Sequence, residues 1–459
     1  MMKGALQNIV EAIGNTAIVR LNKVAAHVKS EIYVKMEFLN PGGSMKDRVA
    51  LNIIRDAERR GLLQPGGTIV EATSGNTGAG LALIAAIRGY KCIFVMPDKM
   101  SFEKIATLRA FGAKVVICPT AVEPEDPRSY YEVTKRIVAE TAGAFHANQY
   151  HNPANPEAHY VSTAPEIWSQ TGGEMDVFVA GMGTGGTISG CGRYFKEKKP
   201  GFQIIGVDPI GSLYYDYVKT GRLARPFSYA VEGIGEDFLP STMNLKIIDE
   251  IVRVDDKECF LMTRALVREE GIFCGGSSGA AVAGAIKYAE QLGETKKNIV
   301  VLLPDSAQKY LSKIFDDKWM SENGFLEEPD ALGTVHDLVR SKPKKTIVTV
   351  GKSETIRNTI GILKEHGISQ VPVLEHGHLQ GLVSELDLLN FLLANPGKID
   401  GPIADLVEAD YATVTPQTRV KLLRTIFNEA KLVCVLDRDD IVGVISKIDL
   451  IEYLAGRTA

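Results

Sequence analysis

Residues 67–88, with the sequence GTIVEATSGNTGAGLALIAAIR, show the alternation of strand, turn and helix that is typical of one fold class. The apolar run GTIVEAT is followed by a polar, glycine-rich turn and then by an apolar helical pattern. Short β-branched runs alternate with helical patterns in this way from about residue 30 to residue 310, which predicts an α/β fold with parallel strands and helices on both faces of the sheet. The runs DVFVAG, QIIGVDP and NIVVLLP are nearly all apolar, as strands of a buried parallel sheet are. Ligands bind at the carboxyl ends of such strands, so the polar turns there are the candidate sites.

The composition is that of a globular protein and favours small molecules and other proteins as partners. The 459 residues include 52 Lys and Arg against 56 Asp and Glu, a formal net charge of −4, which argues against the basic surface that nucleic acid or anionic lipid requires. The amino-terminal stretch lacks the apolar core of a signal peptide, and no run of about 18 apolar residues follows, so we predict a cytoplasmic protein with no membrane partner. The six cysteines are not spaced as a zinc or redox pair, which predicts reduced thiols and no metal site.

A second module with an internal repeat follows the α/β pattern. The stretch 313–345 is irregular and mixed in charge, which is typical of a connection between domains. The sequence GLVSELDLLNFL at 381–392 then returns as GVISKIDLIEYL at 443–454, an offset of 62 residues, which predicts a duplicated strand–turn–helix unit. The predicted boundaries are a large α/β domain over 1–320, a linker over 321–333, and two repeated domains over 334–395 and 396–459.

Each copy of the repeat has a serine and an aspartate at the start of its predicted helix, Ser384 with Asp387 and Ser446 with Asp449. Helix capping alone would explain both pairs, because serine and aspartate are favoured in the first turn of a helix. Binding of a ligand at these positions is the alternative.

A glycine turn, PGGSMKDR at 41–48, places Lys46 at the start of a predicted helix. A positive charge is unfavourable there, since the helix dipole favours anions at this end. Two interpretations follow. Either Lys46 is a solvated charge beside Asp47, or it lies in a pocket where desolvation and the helix end lower its pKa and make its amine a nucleophile.

Three further polar turns open apolar helices: EATSGNTG at 71–78, GMGTGGT at 181–187 and CGGSSG at 274–279. Backbone N–H groups and hydroxyls at a helix start form a cradle for a carboxylate or a phosphate. The same residue types also make ordinary capped turns, so the pattern alone leaves both interpretations open.

The turn at 181–187 also suggests a dinucleotide site. Its glycines at 181, 183 and 186 satisfy the pattern G-x-G-x-x-G, and Asp208 lies 22 residues beyond the last of them, where an NAD-binding oxidoreductase has a ribose-binding acid. However, four polar turns are more than one dinucleotide needs. A phosphorylated aldehyde cofactor, with its phosphate on this turn and its aldehyde on Lys46, is the other interpretation.

The order and spacing of six motifs resemble one enzyme family. The motifs are GGSMKDR, EATSGNTG, NQYHNPANPEAHY, GMGTGGTISG, VEGIGEDF and FCGGSSGA. Together they resemble the β-family (fold type II) of pyridoxal-phosphate enzymes, and the duplicated tail resembles the paired CBS domains, or Bateman module, that some members carry. The resemblance extends from about Leu6 to Leu454. It implies a fold type II catalytic domain, similar to the tryptophan synthase β chain, with two parallel-sheet αβα subdomains followed by a tandem CBS module.

The resemblance also implies roles for individual residues. Lys46 would bind pyridoxal 5′-phosphate covalently and act as the catalytic base, Asn76 would contact the cofactor ring oxygen, and Ser277 would face the pyridine nitrogen. The cofactor phosphate would be bound by Gly183, Thr184, Gly185, Gly186 and Thr187. The amino-acid substrate would be bound by Thr73, Ser74, Thr77, Gln149, Tyr150 and Gly233. In the tail, an adenosyl ligand, either S-adenosylmethionine or AMP or ATP, would be bound by Ser384, Asp387, Ser446 and Asp449.

The implied reaction is β-replacement, in which L-serine and L-homocysteine give L-cystathionine and water, with hydrogen sulfide formed when cysteine takes the place of serine. A cysteine synthase that uses O-acetylserine or serine with sulfide, regulated by the CBS pair, is the alternative within the family. An NAD-dependent oxidoreductase is the alternative from another class, and the resemblance would make Asp208 a structural or surface acid. No haem is expected, and the family analogy implies a homodimer or a higher homo-oligomer.

Overall fold

The computed structural model describes residues 2, 4–98, 100–119, 122, 126–326, 332–342, 347–408, 411–438 and 440–456. The chain divides into two compact units, residues 1–326 and residues 327–459. Part of the predicted linker, 327–331, lies outside the described residues, as do residues 343–346 of the first repeated domain. The domain boundaries given above stay a prediction.

The first unit contains two β-sheets. Their strands are β1 (Ile18–Arg20), β2 (Glu31–Met36), β3 (Thr68–Ala72), β4 (Lys91–Pro97), β5 (Lys114–Cys118), β6 (Ala144–His146), β7 (Val177–Gly181), β8 (Gln203–Pro209), β9 (Glu250–Val254) and β10 (Asn298–Leu303). The larger sheet has the order β1-β2-β10-β7-β8-β9 and the smaller sheet has the order β5-β4-β3-β6. Every pair is parallel except β1 with β2. The prediction of two parallel-sheet subdomains is therefore confirmed, with the addition of one antiparallel edge strand.

Helices cover these sheets. They are α1 (Lys46–Arg59), α2 (Asn76–Arg88), α3 (Phe102–Ala110), α4 (Tyr130–Glu140), α5 (Ala154–Ala158), α6 (Ala164–Gln170), α7 (Gly186–Lys198), α8 (Tyr214–Thr220), α9 (Asp256–Glu270), α10 (Gly276–Gln291) and α11 (Asp317–Glu322). Helix α10 consists mostly of small and apolar residues and is buried along nearly its whole length, as expected for a helix enclosed by protein. Because α2 and α7 begin directly after β3 and β7, their first turns lie at the carboxyl ends of two parallel strands.

The second unit contains two copies of one small fold. The first copy has strands β11 (Val350–Gly351), β12 (Gln370–Glu375) and β13 (His378–Ser384), and the second has β14 (Ala412–Val414), β15 (Val433–Asp437) and β16 (Asp440–Ile445). In each copy the first pair of strands is parallel and the second pair is antiparallel. The helices are α12 (Val335–Ser341), α13 (Ile356–His366), α14 (Glu385–Ala394), α15 (Leu423–Glu429) and α16 (Lys447–Ala455). The duplication predicted from the sequence is confirmed.

The expectation of an irregular stretch over 313–345 was wrong in part, because α11 and α12 lie within it. Helix α12 begins with a capping box at Thr334, which explains why the helix starts there. Its apolar residues Val335 and Leu338 pack into the core of the second copy, beside Val414 and Leu423. A segment that precedes the first copy in sequence therefore completes the core of the second.

All six cysteines are buried free thiols, as predicted. No helix in the described part of the chain has the length and apolar character that crossing a membrane requires. Within the same residues, no three His, Cys, Asp or Glu side chains are grouped so that they could hold a metal ion.

Candidate active site

The polar turns of the first unit meet at one cavity of about 690 Å³. Its lining includes nine residues predicted from the sequence: Lys46, Ser74, Asn76, Thr77, Gln149, Tyr150, Thr184, Gly233 and Ser277. Five others do not line it: Thr73, Gly183, Gly185, Gly186 and Thr187. The cavity has the size of a typical small-molecule site, and the starts of α1, α2 and α10 contribute to its walls.

Lys46 is the first residue of α1 and faces the cavity, so it is not the solvated surface charge of the first interpretation. Burial lowers the pKa of its amine from 10.5 to about 8, although the carboxylates of Asp305 and Glu236 oppose that shift. A substantial fraction of the amine is therefore neutral near pH 8. Its neighbour Asp47 is buried and accepts a hydrogen bond from the backbone N–H of Gly42 at 2.5 Å, which shapes the turn before the helix.

A buried polar network lies beside Lys46. Asn76 donates to Asp305 at 2.8 Å, and Lys309 donates to the side-chain oxygen of Asn76 at 2.7 Å. Tyr310 donates to the same carboxylate oxygen of Asp305 at 2.7 Å. The other carboxylate oxygen of Asp305 is buried and has no protein partner among the described residues. The network therefore orients the Asn76 amide at the cavity wall.

The turn after β3 presents hydrogen-bond donors to the cavity. Thr73 lies behind it, and its hydroxyl oxygen accepts the backbone N–H groups of Gly75 at 3.0 Å and Gly78 at 3.2 Å. Thr73 therefore holds the turn in place, and direct contact of Thr73 with the substrate stays a prediction. In the described structure, the backbone N–H groups of Ser74 and Thr77 donate to no protein acceptor. They are available to a carboxylate.

Gln149 is positioned by a buried glutamate that the sequence analysis missed. The carboxylate of Glu71 accepts the backbone N–H of Asn148 at 2.6 Å and that of Gln149 at 3.0 Å. Asn148 has a φ of 49°, a left-handed conformation that these hydrogen bonds stabilise. Burial raises the pKa of Glu71 to about 8. The Gln149 side-chain oxygen in turn accepts the hydroxyl of Thr77 at 2.5 Å, which joins the two substrate segments.

The 183–187 turn is a close-packed cradle. A Cβ atom added to Gly183 would lie 2.8 Å from the carbonyl oxygen of Gly233, and one added to Gly186 would lie 1.9 Å from the side-chain oxygen of Asn155. Asn155 itself donates to the hydroxyl of Thr184 at 3.0 Å. The turn must therefore be made of glycine, because side chains at these positions would overlap the surrounding protein.

Several backbone N–H groups of the same turn have no hydrogen-bond acceptor in the described part of the chain. A turn with such unused donors can bind a phosphate. The backbone N–H groups of Gly183, Thr184 and Gly185 find no acceptor among the residues that the structure describes. Buried N–H groups without partners are rare in folded proteins. Helix α7 begins at the next residue without a side-chain cap, so its positive end adds to these donors. A bound phosphate would satisfy all of them.

Thr187 lies behind the cradle. Its hydroxyl contacts the sulfur of Met45 at 3.3 Å and a ring nitrogen of His159 at 3.2 Å. Burial lowers the pKa of His159 well below its usual value, so the ring is neutral. A contact between Thr187 and the phosphate stays a prediction.

Ser277 lies at the start of α10, is nearly fully buried, and faces the cavity. No described residue makes a hydrogen bond to its hydroxyl. A neutral hydroxyl at this position fits a ring nitrogen that is not protonated, whereas a carboxylate would favour its protonated form.

Asp208 does not fit the role of a ribose-binding acid. It is fully buried, and its carboxylate accepts the backbone N–H of Tyr215 at 2.9 Å, which fixes the start of α8. Burial raises its pKa to about 6. Of the two roles that the family resemblance left open for it, the structural one applies.

The sequence analysis missed two groups of residues. Those that line the cavity are Tyr130, Tyr131, Glu232, Glu236 and Lys313, and those that make hydrogen bonds to residues of the site are Glu71, Lys104, Asn155, Asp305 and Lys309. One of them had a usable signal, because Asp305 follows the apolar strand β10 at its carboxyl end, where ligand sites are expected.

In the second unit, each of the two predicted pairs forms a capping box. Ser384 and Asp387 exchange hydrogen bonds at the start of α14, and Ser446 and Asp449 do the same at the start of α16. Lys342 distinguishes the copies, because its ammonium lies 2.8 Å from the free carboxylate oxygen of Asp449. Capping accounts for the observed contacts, and contact of these residues with an adenosyl ligand stays a prediction.

Known proteins share both units. The family model for pyridoxal-phosphate dependent enzymes matches residues 9–305, and the model for the CBS domain matches residues 335–394 and 403–456. Cystathionine beta-synthase of the rabbit, Oryctolagus cuniculus, is 40% identical over 476 residues, which cover 98% of this chain and 85% of the rabbit protein. Cysteine synthase of Staphylococcus aureus is 42% identical over 321 residues, which cover 69% of this chain and 100% of that protein.

A solved structure agrees with these matches. The O-acetylserine dependent cystathionine beta-synthase from Helicobacter pylori superposes with a TM-score of 0.62 at 38% sequence identity, covering 68% of this chain and 99% of the other. The resemblance inferred from the six motifs and from the duplicated tail is confirmed.

Proposed function

The chain belongs to the pyridoxal-phosphate dependent enzymes, and we propose that it is a hydro-lyase that condenses L-serine with L-homocysteine to give L-cystathionine and water. The observation that carries the proposal is that Lys46, with a lowered pKa, shares one cavity with the uncapped starts of α2 and α10 and with Thr184 of the 183–187 turn. A nucleophilic amine and donors for two anions are thus present in a single site.

The cofactor is proposed to be held at four points. The N–H groups of the 183–187 turn bind its phosphate, Lys46 bonds to its aldehyde carbon, and Ser277 faces its ring nitrogen. Asn76, held by Asp305 and Lys309, contacts its ring oxygen. Bound pyridoxal phosphate supplies an electron sink for negative charge at the α-carbon of the amino acid.

The substrate carboxylate is proposed to bind at the turn after β3. The free N–H groups of Ser74 and Thr77, the hydroxyl of Ser74 and the side-chain amide of Gln149, whose oxygen is held by Thr77, converge there. Charge-assisted hydrogen bonds of this kind fix the orientation of serine. Tyr150, which packs edge-on against Phe238 with 5.1 Å between ring centroids, limits how far the substrate extends.

Lys46 is proposed to move the proton. Once the amino group of serine has replaced the Lys46 amine on the aldehyde carbon of the cofactor, the freed neutral amine accepts the α-proton of serine at Nζ, and burial makes that amine available near neutral pH. The hydroxyl of serine leaves as water, and the sulfur of homocysteine takes its place on the β-carbon. The proton balance closes at Lys46, because its ammonium gives the α-proton to the leaving hydroxyl, and its amine then takes up the proton that the thiol loses as the C–S bond forms and returns it to the α-carbon.

The direct test supplies purified full-length protein with pyridoxal phosphate, serine and homocysteine. We expect a near-visible absorbance band, trapping by borohydride on the peptide that contains Lys46, and cystathionine that requires both amino acids. A colourless protein that binds NAD and forms no cystathionine would refute the proposal.

A cysteine synthase activity is the second candidate, favoured by the 42% identity to cysteine synthase of Staphylococcus aureus. In that reaction sulfide takes the place of homocysteine, and O-acetylserine or serine supplies the β-carbon. Competition between sulfide and homocysteine at fixed serine discriminates the two functions. If cysteine replaces serine in the main reaction, the product is again cystathionine and hydrogen sulfide leaves in place of water.

For the second unit we propose an adenosyl ligand, either S-adenosylmethionine or AMP or ATP. The match of both copies to the CBS domain supports it. Calorimetry with each compound on the full chain tests it, with Asp387→Ala and Asp449→Ala as variants. Binding that neither variant weakens would place the ligand elsewhere.

A further inference from the structure

A buried lysine behind the cavity contacts two of the turns that carry the predicted cofactor contacts. Lys309 lies in a single helical turn, Ala307–Tyr310, after β10, and only 9% of its surface is exposed. Its ammonium donates to the side-chain oxygen of Asn76 at 2.7 Å and to the carbonyl oxygen of Gly42 at 3.2 Å. Gly42 belongs to the turn that precedes Lys46. Lys309 does not line the cavity itself, and the proposed reaction makes no use of its amine.

The two neighbours of the Asn76 amide determine which of its atoms lies where. An ammonium group has only donors, so Lys309 must meet the amide oxygen. An ionised carboxylate has only acceptors, so Asp305 must meet the amide nitrogen, which donates to it at 2.8 Å. Tyr310 donates to the same oxygen of Asp305 at 2.7 Å, as expected for an accepting oxygen. Turning the amide over would set N–H against N–H and oxygen against oxygen, so its orientation is fixed from both sides.

One donor of this amide is left for the cavity. The nitrogen of Asn76 carries two hydrogens, and only one of them is used within the described structure, in the bond to Asp305. Asn76 lines the cavity. A hydrogen bond to the charged form of a group favours that form, so an N–H at this position favours an ionised oxygen on a bound ring. A carbonyl oxygen in the same place would favour the protonated ring oxygen.

We propose that Lys309 is a positioning residue for pyridoxal phosphate, because it holds the Asn76 amide with its N–H towards the ring oxygen and so keeps that oxygen ionised. The inference rests on the proposed function, since it requires a cofactor whose ring oxygen lies at Asn76. Through the carbonyl of Gly42, the same ammonium also holds the turn before Lys46. The residue that contacts the ring and the residue that bonds to the aldehyde therefore share one support.

The role requires Lys309 to be charged, and it is charged at neutral pH although it is buried. Burial lowers the pKa of its amine to about 8, and the carboxylates of Asp305 and Asp47 oppose that shift. The ammonium of Lys104 acts in the same direction as burial. At pH 7 about nine-tenths of the amine is therefore in the ammonium form, which can donate but cannot accept.

The experiment measures the absorbance of the full-length protein with bound pyridoxal phosphate at pH 7, without amino-acid substrate. Lys309→Met removes the donor at nearly constant volume, so the amide of Asn76 can turn over. Protonation of the ring oxygen moves its absorption to shorter wavelength. Since the effect is that of one hydrogen bond, we expect the ratio of the near-visible band to the band at shorter wavelength to fall roughly 2- to 10-fold.

Two further substitutions separate the loss of the donor from a loss of packing. Lys309→Arg also has only donors and should keep a band ratio close to that of wild type. Lys309→Gln can donate or accept, so it should shift the ratio in the same direction as Lys309→Met while keeping a polar side chain. Lys318→Met, at an exposed lysine of α11, is the matched control and should leave the ratio unchanged.

A cofactor analogue gives a second measurement. For a pyridoxal phosphate analogue without the ring oxygen, the affinity of the apoprotein should be the same in Lys309→Met and in wild type, whereas the affinity for pyridoxal phosphate should fall. In an Asn76→Ala background, Lys309→Met should change the band ratio no further, because the two residues act through one contact. An unchanged ratio in both Lys309→Met and Lys309→Gln, or an equal loss of affinity for the cofactor and the analogue, overturns the proposal.

Failure of this inference is distinguishable from failure of the proposed function. A wild-type chain that forms cystathionine, and whose absorbance is the same in the variants of Lys309, has β-replacement activity without this positioning role. A wild-type chain that binds no pyridoxal phosphate removes the proposed function and the inference together.

Discussion

The helix starts of the two units differ in which backbone N–H groups they leave without a hydrogen-bond acceptor. In the second unit, Ser384 and Ser446 each form a capping box that satisfies the first N–H groups of α14 and α16. In the first unit, α2, α7 and α10 all begin after a glycine, and none has a side-chain cap.

The difference shows how a ligand site is distinguished from an ordinary turn. Every helix start has N–H groups without intrahelical partners, and the protein either satisfies them itself or leaves them for something else. Glycine at the N-cap costs only a few tenths of a kcal/mol relative to serine, so an uncapped start is tolerated. The functional signal is an uncapped start at the wall of a cavity, which α2 and α10 have directly and α7 has through Thr184 of the turn before it, whereas α14 and α16 of the second unit are capped.

We expect the largest effect from removing the amine of Lys46, which lies in the cavity of the first unit. Lys46→Ala removes both the group that bonds to the cofactor and the proton acceptor, so we expect cystathionine formation to fall by about 10³-fold or more, since a general base alone contributes 10² to 10⁴. The measurement is turnover with serine and homocysteine. Lys29→Ala, an exposed lysine of the same unit, is the control. Activity within tenfold of wild type would show that the α-proton is taken elsewhere.

The next effect tests the cradle. Gly186→Ala places a methyl group against Asn155, which forces the 183–187 turn to shift. Overpacking of this kind costs about 1–3 kcal/mol, so the affinity for pyridoxal phosphate should fall roughly 5- to 150-fold. Fluorescence titration of the apoprotein measures it.

The matched control for the cradle is Gly361→Ala in α13. A Cβ atom there meets nothing within 4 Å, so the cofactor affinity should not change. Equal cofactor affinity in Gly186→Ala and wild type would mean that the phosphate does not bind at this turn.

The third prediction concerns the pH dependence of cofactor binding, which depends on the buried amine of Lys46 in the first unit. With the pKa of Lys46 lowered by burial to about 8, the neutral fraction of its amine rises about fivefold between pH 7 and pH 8 and levels off near pH 9. The rate at which the apoprotein bonds to pyridoxal phosphate should follow that curve. An ordinary lysine would show a rate that still climbs at pH 10. Asp305→Asn should move the midpoint to lower pH, because the carboxylate of Asp305 raises the pKa of Lys46.

The sequence predicted those parts of the site that are local in the chain. Lys46, Ser74 and Ser277 each follow a glycine or a strand end within a few residues, so their positions could be inferred from alternation of apolar runs and polar turns. The fold class and the duplication followed from the same periodicity. The three-residue strand β1 was too short to give a pattern of its own.

The parts that escaped prediction depend on long-range contact. Lys104 and Glu232 are 128 residues apart in the chain, and Asn76 and Asp305 are 229 apart. No local pattern marks a lysine that will be buried against a distant glutamate. The packing of α12 against the core of the second copy is also a long-range contact. The sequence around α12 contains only the capping box at its start, which does not indicate the core that the helix joins.

The smallest expected effects concern the capping boxes of the second unit. Ser384→Ala and Ser446→Ala should each destabilise their helix by about 1 kcal/mol, seen as about fivefold faster hydrogen exchange of the first amides of α14 or α16 in the full chain. Cofactor absorbance should not change in either variant. An altered absorbance would mean that these serines act on the first unit and are not only caps.

The two copies should differ in one respect, which Lys342 decides. Burial alone would raise the pKa of Asp449, but the hydrogen bonds from Lys342 and Ser446 outweigh it and hold that pKa below its usual value. A lowered pKa in the folded state stabilises the protein above the unfolded pKa of about 3.9, and the stabilisation is lost as the pH falls through the folded value. At pH 7, Asp449→Asn should therefore speed hydrogen exchange in α16 more than Asp387→Asn speeds it in α14. The difference corresponds to at most about 1 kcal/mol of helix stability, because the ion pair between Asp449 and Lys342 is partly exposed. The difference should shrink below pH 4 and disappear in a Lys342→Met background, since without that ammonium both copies are held by the same two capping hydrogen bonds.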